Sequence, residues 1–284
     1  MNPIRPSRTA LRVALRRAAH QIFDLPPLVF EDPIAMRILG PHAAEVERTP
    51  GRISNRKPRP HSAAMRALIV ARSRYAEDLL ARAVRTGVRQ YVLLGAGLDT
   101  FAHRNSYQQL RVFEVDHPAT QQWKRELLAE SALQHPDGLS YVPVDFENQS
   151  LGAELTGAGF DAMAPALFSW LGVVPYLSLD GFRSTALYIA ARTVGSALVM
   201  DYEQPRTALP EVQRLERDSR SYRAKLSGEE FKLFFTPAQI AAELKAFRNL
   251  EDVGTEELNA RYFAGRADSL RLKGEAPRLI SVWV

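Results

Sequence analysis

Two glycines and two acidic residues lie at the ends of two apolar runs near the middle of the chain. Gly95 and Gly97 directly follow the apolar residues 91–94, and glycines allow the backbone to turn tightly and to approach a ligand closely. Glu114 and Asp116 end the next apolar run, about 20 residues later, where a carboxylate can accept hydrogen bonds from ribose hydroxyls. This spacing indicates a site for a nucleoside.

The glycine turn departs from two common nucleotide motifs. Thr100 stands where a dinucleotide fingerprint has its third glycine, which allows a helix to pack closely under a pyrophosphate. The turn also lacks the lysine that binds phosphate in nucleoside triphosphate loops. A ligand with a ribose and no phosphates fits better, and S-adenosylmethionine is the common one. An ordinary strand-turn-helix corner of an α/β domain is the alternative.

The composition bounds the class of protein. The 284 residues are enough for one large domain with a substantial core. Hydrophobic residues make up 46% and charged residues 24%, the ordinary balance of a soluble protein, and no apolar run approaches the roughly 20 residues of a membrane span. There is no cysteine, which excludes disulfides and thiolate metal sites and suits a reducing cytosol. We therefore expect a cytoplasmic protein with no membrane partner.

The charge pattern favours a small ligand over a macromolecular one. A net charge of +5 attracts anionic ligands only weakly. The basic residues mix with acids and form no stripe with interleaved aromatic residues, so no nucleic-acid partner is expected. No histidine or acidic cluster has the spacing of metal ligands, so no metal is expected either. The oligomeric state is left open.

The elements that must position the glycine turn change character near residue 90. Residues 1–90 are predicted to form a helical cap, with a mobile loop over residues 49–60, which are rich in proline, arginine and glycine. Strand and helix patterns alternate from residue 90 onward, as in a parallel sheet covered on both faces. The charged residues 202–235 predict a helical insertion or lid, with a solvated helical face as the alternative. The predicted helices are residues 9–23, 33–39, 61–86, 118–133, 179–193 and 237–247.

Seven predicted strands define the fold class, which is α/β and Rossmann-like, with a single domain over residues 1–284. The last two strands are joined without a long crossover, and strands joined by a hairpin-type return are antiparallel. The sheet is therefore expected to be mostly parallel with an antiparallel edge strand. The predicted strands are residues 91–94, 111–115, 140–144, 164–169, 196–200, 249–253 and 278–284.

Four short sequence blocks occur in a characteristic order: ARSRY at residues 71–75, LGAGLDT at 94–100, FEVD at 113–116 and LGVVPYL at 171–177. With these blocks the chain resembles the leucine carboxyl methyltransferase family, in its bacterial branch of S-adenosylmethionine-dependent O-methyltransferases. The resemblance covers most of the chain. It implies the class I methyltransferase fold, S-adenosylmethionine as cofactor and S-adenosylhomocysteine as product.

The resemblance implies cofactor-binding roles for residues in these blocks. Arg72 would bind the methionine carboxylate, which a guanidinium can do through two parallel hydrogen bonds. Asp116 would bind the ribose hydroxyls, with Glu114 as its rival because it lies two residues away on the same strand face. The turn residues lining the cofactor would be Gly95, Ala96 and Gly97.

Three further positions follow from the same resemblance. Asp145 and Phe146 are similar to the family's pair beside the adenine, although a strand-end aspartate that caps a turn is the alternative. Arg8 lies where the family has a basic residue near the cofactor carboxylate. Leu171 stands where relatives often carry a glutamate, so only a backbone contact would survive there. For this reason, methylation of a leucine carboxylate on a protein is not inferred.

The acceptor and any general base are less clearly indicated. Methyl transfer is an in-line displacement that depends mainly on alignment. A carboxylate acceptor needs no base, whereas a hydroxyl needs one, and the candidates are His20, His103 and Tyr176. Trp170 and Tyr176 are predicted to wall a pocket for an aromatic or polyketide-like acceptor, with aromatic core packing as the alternative.

The sequence therefore predicts an S-adenosylmethionine-dependent O-methyltransferase that acts on a carboxylate or hydroxyl of a small molecule. An NAD(P)-dependent oxidoreductase would use the same strand, turn and acid, but the third glycine and a Tyr-x-x-x-Lys pair are missing. A non-catalytic nucleoside-binding protein is the other alternative.

Overall fold

The computed structural model of the protein describes residues 7–47, 62–146, 149–226, 228–274 and 277–284. A seven-stranded sheet forms its centre. All seven predicted strands are present, with bounds that differ from the predicted ones by no more than two residues. The strands are β1 (Gln90–Leu94), β2 (Arg111–Asp116), β3 (Leu139–Pro143), β4 (Ala166–Trp170), β5 (Ala197–Tyr202), β6 (Arg248–Val253) and β7 (Arg278–Trp283).

The order of the strands across the sheet is β3-β2-β1-β4-β5-β7-β6. The pairs from β3 to β5 are all parallel, and β7 is antiparallel to both of its neighbours. The predicted α/β fold with a mostly parallel sheet and antiparallel pairing at one edge is confirmed. β1 and β4 are neighbours, but the chain continues from β1 to β2 on one side and from β4 to β5 on the other. Ligands of doubly wound sheets bind at the carboxyl ends of the strands at such a point.

Ten helices surround the sheet within the described residues. The predicted helices over residues 9–23 and 61–86 are confirmed, and the predicted loop over residues 49–60 lies outside the described residues. No helix in the described part of the chain is long and apolar enough to cross a membrane. The helices are α1 (Arg8–Phe23), α2 (Ala43–Glu47), α3 (Ala63–Arg85), α4 (Phe101–Arg104), α5 (Pro118–Glu130), α6 (Leu151–Gly157), α7 (Leu179–Ala190), α8 (Glu211–Lys225), α9 (Pro237–Glu243) and α10 (Thr255–Tyr262).

Three local expectations need correction. The predicted helix over residues 33–39 is instead a turn followed by a 3₁₀ segment, Arg37–His42. Pro41 lies inside that segment and Gly40 has φ of +51°, so a regular α-helix cannot continue through it. The predicted helical insertion over residues 202–235 is confirmed in part: it contains α8, but residues 229–235 have no regular secondary structure. The link from β6 to β7 contains α10 and is not a short hairpin return.

An apolar cluster fixes the N-terminal helices to the sheet at the edge where the glycine turn lies. Ala14 and Ala18 of α1 are buried in it together with Ile38. Leu98, which follows the glycine turn, and Leu127 of α5 belong to the same cluster. Burying apolar side chains is the main favourable contribution to such packing. The cap is therefore part of the wall around the carboxyl ends of the strands.

One ion pair is buried between α5 and β2. The Nζ atom of Lys124 on α5 is 2.6 Å from Oε2 of Glu114 on β2, and each side chain is 1% exposed. The same ammonium group donates a 2.6 Å hydrogen bond to the backbone carbonyl of Asp99. A buried charge is tolerated when it is paired and hydrogen-bonded. Lys124 therefore links β2, α5 and the turn after β1.

We expect Lys124→Met to lower the free energy of unfolding by about 3–5 kcal/mol, because Glu114 would then be a buried charge with no counter-charge. Urea denaturation followed by circular dichroism would measure the change. The double variant Lys124→Met/Glu114→Gln should recover much of the loss. A double variant as unstable as the single one would show that the packing of Lys124 matters more than its charge.

Candidate active site

A cavity of about 560 Å³ opens at the carboxyl ends of β1, β2 and β4. Its walls come from the start of α1, the glycine turn (residues 95–97), the β4 loop (residues 171–178) and the cover segment that follows α8 (residues 228–235). The structure brings nine of the residues predicted from the sequence together around this cavity: Arg72, Gly95, Ala96, Gly97, Asp116, Asp145, Phe146, Leu171 and Tyr176.

The glycine turn is held closely between two other parts of the chain. Gly95 has φ of +71° and Gly97 has φ of +50°, values that favour glycine. A Cβ atom on Gly95 would lie 2.2 Å from Cγ2 of Val173 in the β4 loop, and one on Gly97 would lie 3.0 Å from Cβ of Ala10 on α1. The absence of side chains therefore lets α1 and the β4 loop close on the turn from two directions.

Asp116 connects the glycine turn to the end of β2. Its Oδ2 atom accepts a 2.6 Å hydrogen bond from the N–H of Gly97, and its Oδ1 atom accepts one of 2.7 Å from the N–H of His117. Burial raises the pKa of Asp116, and the two backbone hydrogen bonds oppose that rise. The carboxylate is thus oriented by two amides at the wall of the cavity, where its remaining lone pairs can accept from a ligand.

Glu114, the predicted rival for the ribose, does not line the cavity. It is 1% exposed and paired with Lys124 beneath α5. Both acids point to the same face of β2, but Asp116 is the last residue of the strand and Glu114 lies two positions further in, where the helix covers it. The alternative that gave the ribose to Glu114 is therefore not supported by the geometry.

Thr100 has a structural role in place of the third glycine. Its hydroxyl donates a 2.6 Å hydrogen bond to Oδ2 of Asp32 and accepts one of 3.2 Å from Nε of Arg104. The same Asp32 oxygen is 2.7 Å from Nε of Arg17 on α1. No local pattern indicated that Asp32 and Arg17 belong to this group, because both lie more than 60 residues before Thr100 in the chain.

The cover segment is joined to the start of α1 by Glu229, which sequence reasoning missed. Glu229 is buried at the cavity wall and accepts hydrogen bonds from the hydroxyl of Ser7 at 2.5 Å, from the N–H of Thr9 at 3.0 Å and from the hydroxyl of Thr9. A carboxylate is favoured there by the partial positive charge at the N-terminus of a helix. The N–H of Lys232 donates to the carbonyl of Pro175 at 2.6 Å, which ties the segment to the β4 loop as well.

Tyr176 lines the cavity but is a poor candidate for a base. Burial raises its pKa to about 12, so the phenol is protonated at neutral pH. Its ring makes an edge-to-face contact with Phe231, with the ring centroids 5.2 Å apart. Tyr176 can therefore donate a hydrogen bond into the cavity but cannot readily remove a proton from an acceptor.

The two histidine candidates lie away from the cavity lining. His20 is fully buried on α1, with its Nδ1 atom 2.8 Å from Oδ2 of Asp24, and it supports the local structure. Burial lowers the pKa of His103 to about 4, so it is neutral at physiological pH. A histidine that does reach the cavity is His117, whose Nδ1 atom accepts from the N–H of Ala119 at the start of α5. Its position directly after Asp116 in the sequence could have indicated that it lies at the cavity.

Two other predicted site residues do not line the cavity. Trp170 is fully buried in the core and stacks on Phe182 with the ring centroids 5.5 Å apart. Successive side chains of a strand point to opposite faces, and Ser169 and Leu171 line the cavity in its place. Arg8 is exposed and is not among the residues lining the cavity.

Arg72 lies on α3, buried at the cavity wall. Its Nη1 atom donates a 2.9 Å hydrogen bond to Oδ2 of Asp201 on β5. Asp145 and Phe146 line the cavity where the chain leaves β3. Within the described residues, no group of three or more histidines and acids could hold a metal ion, and the expectation that none is needed stays a prediction.

Comparison with known proteins identifies the family. A family model described as "Leucine carboxyl methyltransferase" matches residues 10–190. This chain belongs to the leucine carboxyl methyltransferase family. It is 36% identical over 208 residues to the "Putative S-adenosyl-L-methionine-dependent methyltransferase YktD" of Bacillus subtilis, covering 71% of this chain and 67% of that protein.

Other relatives agree with this result. A protein of the same description from Frankia alni is 38% identical over 184 residues, which are 62% of this chain and 61% of the relative. The chain thus matches about two thirds or less of the length of these relatives. The family predicted from the sequence is confirmed, together with S-adenosylmethionine as its cofactor.

Solved structures confirm the fold. A DUF574 family protein from Streptomyces avermitilis superposes with a TM-score of 0.56 at 19% identity, covering 95% of this chain and 96% of that one. A "putative methyltransferase" from Thermobifida fusca gives 0.55 at 17% identity, with 95% and 93% covered. Family membership does not favour the oxidoreductase and non-catalytic alternatives.

The glycine turn of this family member can be tested with a matched pair of glycines. Gly95 and Gly265 have the same φ of +71°, but a Cβ atom on Gly265 would meet nothing within 4 Å. We expect Gly265→Ala to cost only the backbone strain, about 1–2 kcal/mol, and to leave S-adenosylhomocysteine affinity unchanged. Gly95→Ala should destabilise the protein more and weaken that affinity at least about tenfold, which is about 1.4 kcal/mol of binding free energy.

Calorimetric titration with S-adenosylhomocysteine and urea denaturation would measure both effects. Adding Val173→Ala to Gly95→Ala should restore part of the loss, since it removes the atom that the new Cβ would meet. Equal effects of Gly95→Ala and Gly265→Ala would contradict the role given to the close approach.

The two acids of β2 allow a second test. We expect Asp116→Asn to weaken S-adenosylhomocysteine binding about 10- to 100-fold, as loss of hydrogen bonds to a charged group does. Glu114→Gln should instead lower the free energy of unfolding and leave the affinity nearly unchanged. Calorimetric titration would measure the affinity of both variants, and urea denaturation would measure their free energy of unfolding. The reversed pattern would assign ribose binding to Glu114.

Proposed function

We propose that the protein transfers the methyl group of S-adenosylmethionine to an oxygen atom of a small-molecule acceptor. The observation that carries the proposal is that Asp116 and Arg72, a hydrogen-bond acceptor and a cation, line the same cavity with the glycine turn. In this proposal the ribose hydroxyls donate to Asp116, and the methionine carboxylate accepts from Arg72. Asp145 and Phe146 contact the adenine.

The size and cover of the cavity support a small acceptor. A volume of about 560 Å³ lies within the usual range of small-molecule sites. The cover segment and the start of α1, held together by Glu229, close one side of it. Closure of this kind excludes water and aligns the acceptor oxygen with the methyl group and the sulfur.

The chemistry of the remaining lining supports an oxygen acceptor, and a carboxylate in particular. Tyr176 is protonated at neutral pH, and Lys232 also lines the cavity. These groups can donate hydrogen bonds to an anionic oxygen. His20 and His103 lie away from the cavity lining, and a carboxylate acceptor needs no base. A hydroxyl acceptor remains within the proposal, with His117 as the histidine at the wall.

Three further expectations from the sequence accompany this proposal. The cytoplasmic location, the absence of a nucleic-acid partner and the division into one domain with an N-terminal cap stay predictions. They are compatible with a cavity that takes a cofactor and a small molecule.

The proposal predicts the chemistry of the product. Incubation with S-adenosylmethionine and a panel of carboxylic acids, phenols and amines should yield S-adenosylhomocysteine only with the oxygen acceptors. Methyl esters release methanol in mild alkali and methyl ethers do not, so alkali treatment separates a carboxylate from a hydroxyl acceptor. Asp116→Asn serves as the control for turnover at this site. Transfer to amines alone would contradict the proposal.

A further inference from the structure

Asp201 is a buried carboxylate that has no part in the function proposed above. It lies near the end of β5 and is 4% exposed. Its Oδ2 atom accepts the 2.9 Å hydrogen bond from Nη1 of Arg72 on α3. Its Oδ1 atom accepts a 2.5 Å hydrogen bond from the N–H of Gly172 in the β4 loop. One side chain therefore joins three elements around the cavity.

The space around Arg72 depends on a second feature, the glycine at position 172. Gly172 has φ of +73°, and a Cβ atom there would lie 2.9 Å from both Nη1 and Nη2 of Arg72. The guanidinium is thus pressed against the β4 loop on one side and bonded to Asp201. Its direction is set by both contacts, since a long arginine side chain otherwise has several rotamers.

The donors and acceptors in this group are matched. Asp201 has two oxygens, and each receives one donor, a charged guanidinium and a backbone amide. Arg72 carries five N–H groups, so the bond to Asp201 engages one of them while the guanidinium lines the cavity. A carboxylate is required for this arrangement, because an asparagine would offer one acceptor oxygen and one donor group that faces another donor.

We propose that Asp201 is a positioning residue, which holds Arg72 in the orientation that binds the carboxylate of the methionine part of the cofactor. This inference rests on the proposed function, in which Arg72 binds that carboxylate. Asp201 itself does not line the cavity. It also holds Gly172 and with it the adjoining Leu171, so the wall of the cavity next to Arg72 is fixed by the same carboxylate.

Two ligands separate positioning from general structural damage. S-adenosylhomocysteine carries the amino-acid carboxylate, and 5′-methylthioadenosine has the same adenosine and thioether without it. We expect Asp201→Asn to weaken binding of S-adenosylhomocysteine about 10- to 100-fold and to change binding of methylthioadenosine less than about twofold. Calorimetric titration of both ligands measures the ratio of the two affinities.

Asp252→Asn is a matched control in the same sheet. Asp252 on β6 also accepts from an arginine, Nε of Arg278 at 2.9 Å, and from a second donor, the hydroxyl of Tyr202 at 2.7 Å. It does not line the cavity. The control variant should leave the affinities of both ligands unchanged, whatever it does to stability.

A further variant covers the case in which Asp201→Asn does not fold. Arg72→Gln removes the charge that Asp201 neutralises, and the double variant Arg72→Gln/Asp201→Asn removes both charges of the pair. If Asp201 acts through Arg72, the single variant Arg72→Gln and the double variant should show the same lowered ratio of affinities. A further loss confined to S-adenosylhomocysteine in the double variant would overturn the inference.

The outcomes also separate this inference from the proposed function. If the unaltered protein does not bind S-adenosylhomocysteine, the proposed function fails. If it binds, and Asp201→Asn weakens both ligands equally or neither, the positioning role is overturned and the proposed function stands.

Discussion

The close approach of backbone at the glycine turn is the constraint on which the rest of the site depends. Ala10 and Val173 come within contact distance of positions 97 and 95 from opposite sides, so α1 and the β4 loop can reach their places only if those positions carry no side chain. Asp116 then bonds to the N–H of Gly97 and fixes the turn relative to β2. All three contacts lie at the wall of the cavity.

Buried charge holds the N-terminal cap against this turn. Asp32 of the cap accepts from Thr100 and lies 3.4 Å from Nε of Arg104. Arg17 of α1 lies 3.8 Å from Oδ2 of Asp99, in the turn after β1. Each of these groups would be costly to bury alone, and the pairing makes its burial tolerable. Asp32 and Arg17 come from the cap, whereas Thr100, Arg104 and Asp99 follow β1, so separating the cap from the sheet would break these contacts. The cap is therefore bound to the sheet by specific contacts as well as by apolar packing.

The wall of the cavity is built in two ways. Arg72 and Asp116 lie on a helix and at a strand end, and short hydrogen bonds hold them to Asp201 and to the glycine turn. The start of α1, the β4 loop and the cover segment meet through Glu229 and through the backbone of Lys232. Sites placed on regular elements hold their geometry more firmly than sites on loops.

The sequence by itself determined the sheet, the glycine turn, the family and nine of the residues that line the cavity. Those features follow from local patterns, namely apolar runs, glycines at a turn and an acid at a strand end, which act within short stretches of chain. Tertiary structure alone decided which of two similar acids reaches the cavity, because α5 covers Glu114 and leaves Asp116 at the edge. It also buried Trp170 and His20 and brought Asp201 to Arg72 and Glu229 to Thr9. Those partners are more than 100 residues apart in the chain, and their pairing depends on how helices and strands pack, which no local pattern specifies.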